Sequence, residues 1–542
     1  MGEELFVRKA SGLVRAVGIL PTIAICFAFT VPGIFFLPFE ATYFYPGCNA
    51  PLAWGLASFL MVWSALAFMF LSVCMPRTAA DYVGLTRALS PVLGYIASWV
   101  NCIALALLVG IVPYWGVMLF GNFLTIVGAI TGNTYYLGLA QMLLQPTMIL
   151  IISIIVIIIA MIISLVGMRV YGIIMNIIFI IPLISMIIGL AVSAYYAVLG
   201  PAAVKQAWDA VFGTGAWDEV VTVALNNGWR DYISGATGSP EIFGFPGRWT
   251  WTATALATIP AAFSCWGYES AIYVAGEIRE AKKTLPLGII IAYILLTFFY
   301  ISMVYFIHLD YGQFLSMYSF VIENGYGDQF TINVPTYPGW DIFSSVLVTA
   351  KLGPVLGAFA ALPGGWTNMA WSLIGLLLTS RIFFAWSFDR FAPEFLSRVN
   401  ERFHTPHWSI IVATIIGIIG AAYTVFHPYF AMVSMFNGAV IRYLFACWAA
   451  LLLPYMRPDI FKMGFTQKIG PIPVVSIIGA IGTITTSWLF IVFLVTLAGD
   501  WASIIWQVFA LASGAIVFAI FYAYNRAKGI DVDALWRAIP PA

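Results

Sequence analysis

Long apolar stretches recur along this chain from one end to the other. A helix that crosses about 30 Å of hydrocarbon needs roughly 20 mostly apolar residues, because every backbone amide must be paired inside its own segment. Twelve stretches fit this requirement, at 14–38, 51–75, 91–121, 143–165, 171–198, 249–275, 286–308, 353–388, 408–426, 429–455, 471–497 and 501–525. The pattern predicts an all-α polytopic membrane protein with twelve transmembrane helices and a single domain over 1–542.

Composition excludes the main alternatives. The 542 residues are 62% hydrophobic and 9% charged, whereas a soluble globular domain is about 45–50% apolar and about 25% charged. Such a chain cannot cover its surface with polar groups in water, so a lipid bilayer is its expected surrounding. The formal net charge of +1 gives no support for a nucleic-acid partner.

The positions of Lys and Arg predict the orientation, because cytoplasmic segments retain positive charge. With both tails placed inside, 19 of the 24 Lys and Arg residues fall on the inner side. The exceptions are Lys205, Arg230, Arg248 and Lys351, which fall outside, and Arg442, which falls within a span. We therefore expect a multi-pass protein of the cell membrane with cytoplasmic N- and C-termini. Segments 199–248 and 309–352 become extracellular loops.

Two spans carry helix-breaking residues at membrane depth. These are Pro21, Pro32 and Gly33 in the first span, and Pro260, Gly267 and Gly276 in the sixth. Amides and carbonyls freed by a break cannot face lipid, so they must face protein or a watery cavity. Breaks at matching places in two five-span halves suggest an inverted repeat with a binding site near the midplane. The alternative is two kinked, tightly packed helices, since Pro and Gly are common in transmembrane helices.

Several motifs resemble those of one family. They are FSCWGYE at 263–269 followed by AGEIREAKKTLPLGI, MPRTAADYVGLTRALSPVLGYIASW at 75–99, SRIFFAWSFDRFAPEFLSRVNERFHTPH at 380–407 and LLLPYMRPDIF at 451–461. Together they resemble the amino acid-polyamine-organocation transporter superfamily over roughly 14–460. The resemblance implies an amino acid permease with discontinuous helices 1 and 6. The first repeat would cover 14–198, the second 249–455, and two additional spans 471–525.

The resemblance also places a substrate site at the two breaks. Half-helix N-termini suit a carboxylate and freed carbonyls suit an ammonium, which together describe the backbone of an amino acid. The first span departs from the usual Gly-Ser-Gly-Ile-Phe pattern, because Pro32 has no N–H to donate; amides between Ile25 and Val31 would serve instead. The expected substrate-binding residues are Ile25, Cys26, Phe27, Ala28, Thr30 and Gly33 in the first span, and Phe263, Ser264, Cys265, Trp266 and Gly267 in the sixth.

Three further residues are candidates for coupling or gating. Glu269 is the one acidic residue deep in a span, where an ionisable group is costly enough to be functional; the resemblance ties the matching Glu to coupling or gating. It could exchange a proton, pin the broken helix, or do both. Trp266 or Tyr268 could act as an aromatic gate. Arg442 cannot be deprotonated, so its charge needs a partner. It could form a structural ion pair or extend to water, form a coupling pair with Glu269, or contact a substrate carboxylate.

These features favour a secondary active transporter working by alternating access. Few charged groups lie at the presumed site, so a neutral amino acid is the first choice of substrate, while Glu269 keeps a cationic amino acid or polyamine open. A coupling proton is a candidate partner. The alternative of another class is a membrane receptor or scaffold that does not transport. No phosphate loop, CxxC or HExxH motif is present, so an enzyme, a cofactor and a metal site are not expected.

Overall fold

A computed structural model describes residues 6–7, 10–335, 337–426, 430–497 and 500–541. Two of the cations assigned to the inner side, Arg8 and Lys9, lie outside these described residues.

Helices account for nearly all regular structure in the described ranges. The α-helices are α1 (Ile19–Thr30), α2 (Leu37–Phe44), α3 (Ala50–Cys74), α4 (Ala80–Ala88), α5 (Pro91–Thr131), α6 (Thr134–Leu143), α7 (Pro146–Leu165), α8 (Met168–Leu199), α9 (Pro201–Phe212), α10 (Ala216–Asn226), α11 (Trp229–Thr237), α12 (Trp251–Ser264), α13 (Ala281–Tyr311), α14 (Gln313–Glu323), α15 (Trp340–Leu352), α16 (Pro354–Ala360), α17 (Pro363–Phe388), α18 (His407–Phe426), α19 (Phe430–Met456), α20 (Pro458–Phe461), α21 (Val474–Thr496), α22 (Trp501–Ala527) and α23 (Val532–Arg537). Short 3₁₀ helices lie at Val31–Phe35, Ser270–Glu277, Tyr326–Gln329 and Glu394–Ser397. Strands β1 (Lys468–Ile469) and β2 (Ile472–Pro473) pair antiparallel.

The helices are those of an all-α polytopic membrane protein. Eleven helical segments of the described chain are long and apolar enough to cross a membrane. They correspond to the predicted spans except 249–275, where α12 ends at Ser264 and no helix reaches the required length. Outward isoleucines on the spans, such as Ile159, Ile162 and Ile173, are at least half exposed, as expected of a face that contacts lipid rather than water.

The two ends of the chain lie on the same face. Ser11, Pro540 and Pro541 line a single cavity. An even number of membrane crossings requires both ends of the chain to lie on one side of the membrane. Twelve crossings, the inverted repeat and the side of the membrane that this face occupies stay predictions.

Both predicted interruptions are present. In the first span α1 ends at Thr30, a 3₁₀ turn follows, and α2 starts at Leu37. In the sixth, Gly267 has φ +105°, a conformation that a residue with a Cβ rarely adopts. A Cβ added there would lie 1.8 Å from Cδ1 of Phe29, so the absence of a side chain also lets the two broken spans touch.

Small residues bring the remaining long helices together. A Cβ added to Gly110 of α5 would lie 1.9 Å from the carbonyl oxygen of Gly417 in α18. One added to Gly116 would lie 2.5 Å from the backbone nitrogen of Met369 in α17. Close backbone approach at small residues is how transmembrane helices gain packing contacts, and it holds α5, α17 and α18 as one unit beside the two breaks.

The segments predicted as outer loops are largely helical. The first contains α9, α10 and α11, and the second contains α14 and α15. Trp208 of α9 is fully buried and packs against a set of rings from the second segment: Tyr311, Phe314, Tyr318 and Phe343. Aromatic side chains bury large areas, so the high Trp and Tyr content of these segments builds a packed cap.

Candidate functional site

One hydroxyl group connects the two breaks. The Tyr300 hydroxyl of α13 lies 2.6 Å from the carbonyl oxygen of Thr30 and 2.8 Å from that of Ser264. These carbonyls belong to the last residues of α1 and α12. A phenol has one proton to donate, so it is shared between the two. The interrupted ends of the first and sixth spans therefore both contact the same residue of α13, the seventh span.

A small cavity of about 30 Å³ lies beside this junction and is called the central cavity below. Its lining residues are Phe29, Thr30, Pro32, Gly33, Phe36, Leu108, Val112, Trp115, Phe263, Trp266, Asn368 and Trp371. Six of them are aromatic and, among the described residues that line it, none is charged. Small-molecule sites are typically apolar, with a few placed polar groups. The central cavity matches that description.

Asn368 of α17 supplies an unpaired acceptor. Its amide nitrogen donates to the carbonyl oxygen of Gly364 at 2.9 Å and lies 3.5 Å from that of Pro32. Because both neighbours are acceptors, the amide must turn its nitrogen toward them. Its Oδ1 atom then has no hydrogen-bond partner within the described chain, although Asn368 is fully buried. A buried acceptor without a partner is costly, so this atom is poised for a donor.

The site residues predicted from the sequence divide into two groups. Thr30, Gly33, Phe263 and Trp266 line the central cavity. Ile25, Cys26, Phe27 and Ala28 are buried inside the regular helix α1 and do not line it.

The remaining predicted residues of the sixth span contact neighbouring helices. Cys265 and Tyr268 both reach Ser58 of α3, with distances of 3.5 Å from Sγ and 3.1 Å from the hydroxyl. The Ser264 hydroxyl donates to the Pro260 carbonyl at 3.1 Å. Gly267 donates its N–H to the Tyr443 hydroxyl at 3.3 Å. Of the two candidate gates, Trp266 borders the central cavity and Tyr268 faces α3.

Glu269 and Arg442 form an ion pair. Arg442 Nη2 lies 2.6 Å from Glu269 Oε1, and the side chains are 0% and 1% exposed. The Tyr443 hydroxyl also contacts the Glu269 carboxylate, at 2.9 and 3.1 Å. Among the described residues, the Glu269 carboxylate thus has side-chain partners from α19. These contacts hold the break of the sixth span against the tenth span.

Two further side chains complete this group, which we call the Glu269 cluster: Glu269, Arg442, Tyr443, Tyr273 and Asp81. Arg442 Nη1 donates to the Tyr273 hydroxyl at 2.8 Å and lies 3.5 Å from Asp81 Oδ2. Asp81 belongs to α4, the short helix that follows the second span.

A known protein family matches most of this chain. The model of a family described as amino acid permease matches residues 22–523. This chain belongs to that family. The matched region contains both breaks, the central cavity and the Glu269 cluster, so the permease carries all of these features within its family region. The family is one of transporters rather than enzymes.

A curated relative is similar over a smaller region. The permease is 27% identical over 199 residues to the cationic amino acid transporter 4, vacuolar, of Arabidopsis thaliana. The alignment covers 36% of this chain and 29% of the relative.

A second cavity, of about 30 Å³, lies at the face that holds the chain ends and is called the vestibule below. It is lined by Ser11, Arg77, Thr78, Val83, Gly276, Phe384, Ala385, Phe388, Asp389, Pro540 and Pro541. Arginines hold the C-terminal segment there: Arg77 Nε donates to the Pro540 carbonyl at 2.6 Å and Arg87 Nε to that of Ala538 at 3.3 Å. The segment around α23 thus packs across this face of the permease.

Two buried ion pairs lie near the vestibule. Arg87 Nη1 lies 2.6 Å from Asp389 Oδ2. Arg381 makes two bonds to Glu277, Nε to Oε1 at 3.0 Å and Nη2 to Oε2 at 3.1 Å. Glu277 ends the 3₁₀ helix of the sixth span, so this second pair ties that span to α17.

Sequence reasoning missed Tyr300, Asn368, Trp371 and Asp81. Trp371 donates its indole N–H to the carbonyl oxygen of Phe29 at 3.0 Å. Asn368 carried the clearest signal, since an amide side chain at membrane depth is expensive without partners. The others gave none, because tyrosine and tryptophan are common in membrane spans and Asp81 lies between spans.

Proposed function

We propose that this permease is a secondary transporter that moves a neutral amino acid across the cell membrane by alternating access, with its chain ends in the cytoplasm. The central cavity carries the proposal. It lies where two interrupted helices meet, and no charged side chain is found among its described lining residues. Transporters of several folds bind substrate near the midplane at such interruptions.

The cavity offers groups suited to the ammonium and to the side chain of an amino acid. The unpaired Oδ1 of Asn368 would accept a hydrogen bond from the ammonium. The rings of Phe29, Trp266 and Trp371 would pack on an apolar or aromatic side chain. The cavity, of about 30 Å³, is smaller than an amino acid, so binding requires these rings to move, and Trp266 at its border would act as the gate.

A cationic amino acid is the second candidate. Two observations favour it: the name of the Arabidopsis thaliana relative, and the aromatic lining, since rings attract cations. Against it, Glu269, the acid at the break of the sixth span, is already paired with Arg442. A positively charged side chain would therefore lack a carboxylate in the described cavity.

Counterflow in proteoliposomes tests the proposal. Vesicles preloaded with unlabelled amino acid should accumulate the same labelled amino acid, with saturation, for neutral and not for cationic members of a panel. Counterflow restricted to lysine and arginine would favour the second candidate. Absence of counterflow with every amino acid would reject transport and favour the non-transporting receptor or scaffold.

A matched pair of variants tests the site itself. Asn368→Ala removes the proposed acceptor, and a hydrogen bond to a charged group contributes about 1.5–3 kcal/mol, so the counterflow KM should rise about 10- to 100-fold. Thr367→Ala is the control, because within the described chain the Thr367 hydroxyl donates to carbonyl oxygens of its own helix, the nearest that of Pro363 at 2.8 Å. Equal KM values for the two variants would remove Asn368 from the substrate site.

A further inference from the structure

The Glu269 cluster contains one more acid than base. Glu269, Asp81 and Arg442 are each 1% exposed or less, and the guanidinium of Arg442 is permanently charged. Asp81 forms an ion pair with no described residue other than Arg442. If both carboxylates were ionised, the buried group would carry an uncompensated negative charge, which is strongly unfavourable away from water.

The hydrogen bonds show which carboxylate is the less stabilised. Glu269 accepts from Arg442 at 2.6 Å and from Tyr443 at 2.9 Å. Asp81 lies 3.5 Å from Arg442, whose Nη1 already donates to Tyr273. Neither oxygen of Asp81 has a hydrogen-bond partner of normal geometry in the described chain. A proton would therefore be held by Asp81 rather than by Glu269.

The surroundings of Asp81 agree with this assignment. The titratable and charged groups that interact with it are Arg442 of α19, Glu269 and Tyr273 of the sixth span, and Cys102 of α5. Burial raises the pKa of Asp81, while Arg442, the Tyr82 amide and the Tyr273 hydroxyl oppose that shift. Among the described groups, Arg442 is the only cation that opposes this rise in the pKa of Asp81.

We infer that Asp81 is the binding site of a coupling proton in this permease, an inference that rests on the transport function proposed above. The step is a simple one. A proton adds to one oxygen of the Asp81 carboxylate to give the carboxylic acid, and the same proton leaves when the acid dissociates. No other bond forms or breaks.

A proton fits this site better than a metal ion. The guanidinium of Arg442 lies within 3.5 Å of the Asp81 carboxylate and would repel a second cation. Within the residues that the structure describes, no group of three or more His, Cys, Asp or Glu side chains is arranged to hold a metal.

The position of Asp81 connects a proton source to the substrate site. Thr78 and Val83, close to it in sequence, line the vestibule, from which a proton can enter or leave. Arg442 joins Asp81 to Glu269, and the break that holds Glu269 also carries Trp266 at the edge of the central cavity. When Asp81 is protonated, Arg442 pairs with the carboxylate of Glu269 alone. When Asp81 is deprotonated, Arg442 pairs with both carboxylates. The break is therefore held differently in the two states, as coupling requires.

The test compares two assays on the same proteoliposomes, counterflow at equal pH and accumulation driven by a pH gradient. The variant is Asp81→Asn. Asp341→Asn is the matched control, since Asp341 is also fully buried but its Oδ1 accepts from the Gly364 amide and has no arginine partner among the described residues. We expect wild type and Asp341→Asn to show both activities. Asp81→Asn should keep counterflow within about twofold while its driven accumulation ratio falls to about 1.

Gradient-driven accumulation by Asp81→Asn equal to that of wild type would overturn the inference. So would wild-type accumulation that responds to a sodium gradient and not to pH. Wild type without any counterflow would instead reject the proposed function, and the inference with it.

A second pair of variants decides the matter if Asp81→Asn does not fold. Asp81→Glu keeps an acid at this position, so accumulation should persist with a shifted pH midpoint. Glu269→Gln leaves Arg442 to neutralise Asp81, which should then stay ionised, so driven accumulation should be lost. An unshifted midpoint in the first variant, or retained proton coupling in the second, would contradict the assignment.

Discussion

The ion pair between Arg381 and Glu277 allows a quantitative test of how the sixth span is attached to α17. Two parallel bonds of 3.0 and 3.1 Å join the groups, and the side chains are 1% and 0% exposed. Arg381→Met leaves the Glu277 carboxylate buried without its cation, and Glu277→Met leaves the guanidinium without its anion. The double variant Arg381→Met/Glu277→Met removes both charges.

The burial of the pair sets the expected magnitudes. Removing one partner of a buried ion pair costs about 3–5 kcal/mol, because an uncompensated charge stays behind, whereas replacing both by apolar groups is often close to neutral. Each single variant should therefore lower the free energy of unfolding by about 3–5 kcal/mol. Since about 1.4 kcal/mol is a factor of ten, this is a loss of roughly two to four decades in the folding equilibrium constant. The double variant should recover most of it.

Equilibrium unfolding in mixed detergent micelles measures these differences, and the four proteins form a double-mutant cycle. The Lys205–Asp218 pair, whose side chains are 39% and 64% exposed, is the control and should show a coupling of roughly 0–1 kcal/mol. A coupling for Arg381 and Glu277 no larger than that of the control would refute the argument that burial makes the pair mutually dependent.

Three further outcomes are expected. Gly267→Ala should lower the free energy of unfolding by about 2–6 kcal/mol, because backbone strain at positive φ and overpacking each cost about 1–3 kcal/mol and the new Cβ would meet Phe29 at 1.8 Å. Gly235→Ala, with nothing within 4 Å, is the control and should raise the free energy of unfolding by up to about 1 kcal/mol, because Ala is favoured over Gly inside a helix such as α11. Tyr300→Phe should cost about 1–3 kcal/mol in the same assay, since two buried carbonyls lose their shared donor, and an unchanged stability would show that the bridge is not formed. Deleting residues 532–541 should lower the melting temperature without changing the order of preferred substrates in counterflow, because none of these residues lines the central cavity; a changed order would contradict this.

The helix interruptions could be predicted because their causes are local. Proline removes a donor and glycine permits positive φ, so Pro32 and Gly267 mark the two breaks wherever the rest of the chain lies. Their extent was harder to place. The first break begins only at Val31, with Pro32 in the first turn of the 3₁₀ helix, where a missing N–H costs little. Helix α1 therefore continues through Ile25–Thr30, and the amides expected to be free lie within it.

The partners at the site could not be predicted because they are non-local. Asp81 meets Arg442, and Tyr300 meets Thr30, across 361 and 270 positions of sequence. No periodicity or spacing in a single sequence encodes such contacts. The count of charged residues at membrane depth did single out Glu269 and Arg442, because unpaired charges there are so costly that they must find partners; the structure places them 2.6 Å apart.

The attachment of the C-terminal segment has a practical consequence for mutagenesis. Arg77, Arg87 and Arg457 donate hydrogen bonds to the main-chain oxygens of Pro540, Ala538 and Arg537 in this segment. Arg87 also lies over the ring of Trp536, 4.9 Å from its centroid. Every residue type has such an oxygen, so these hydrogen bonds do not depend on the side chains of the segment, whereas the contact with Arg87 does depend on the Trp536 ring. Alanine scanning of the segment would leave these bonds intact, and only shortening the chain or replacing the arginines would reveal them.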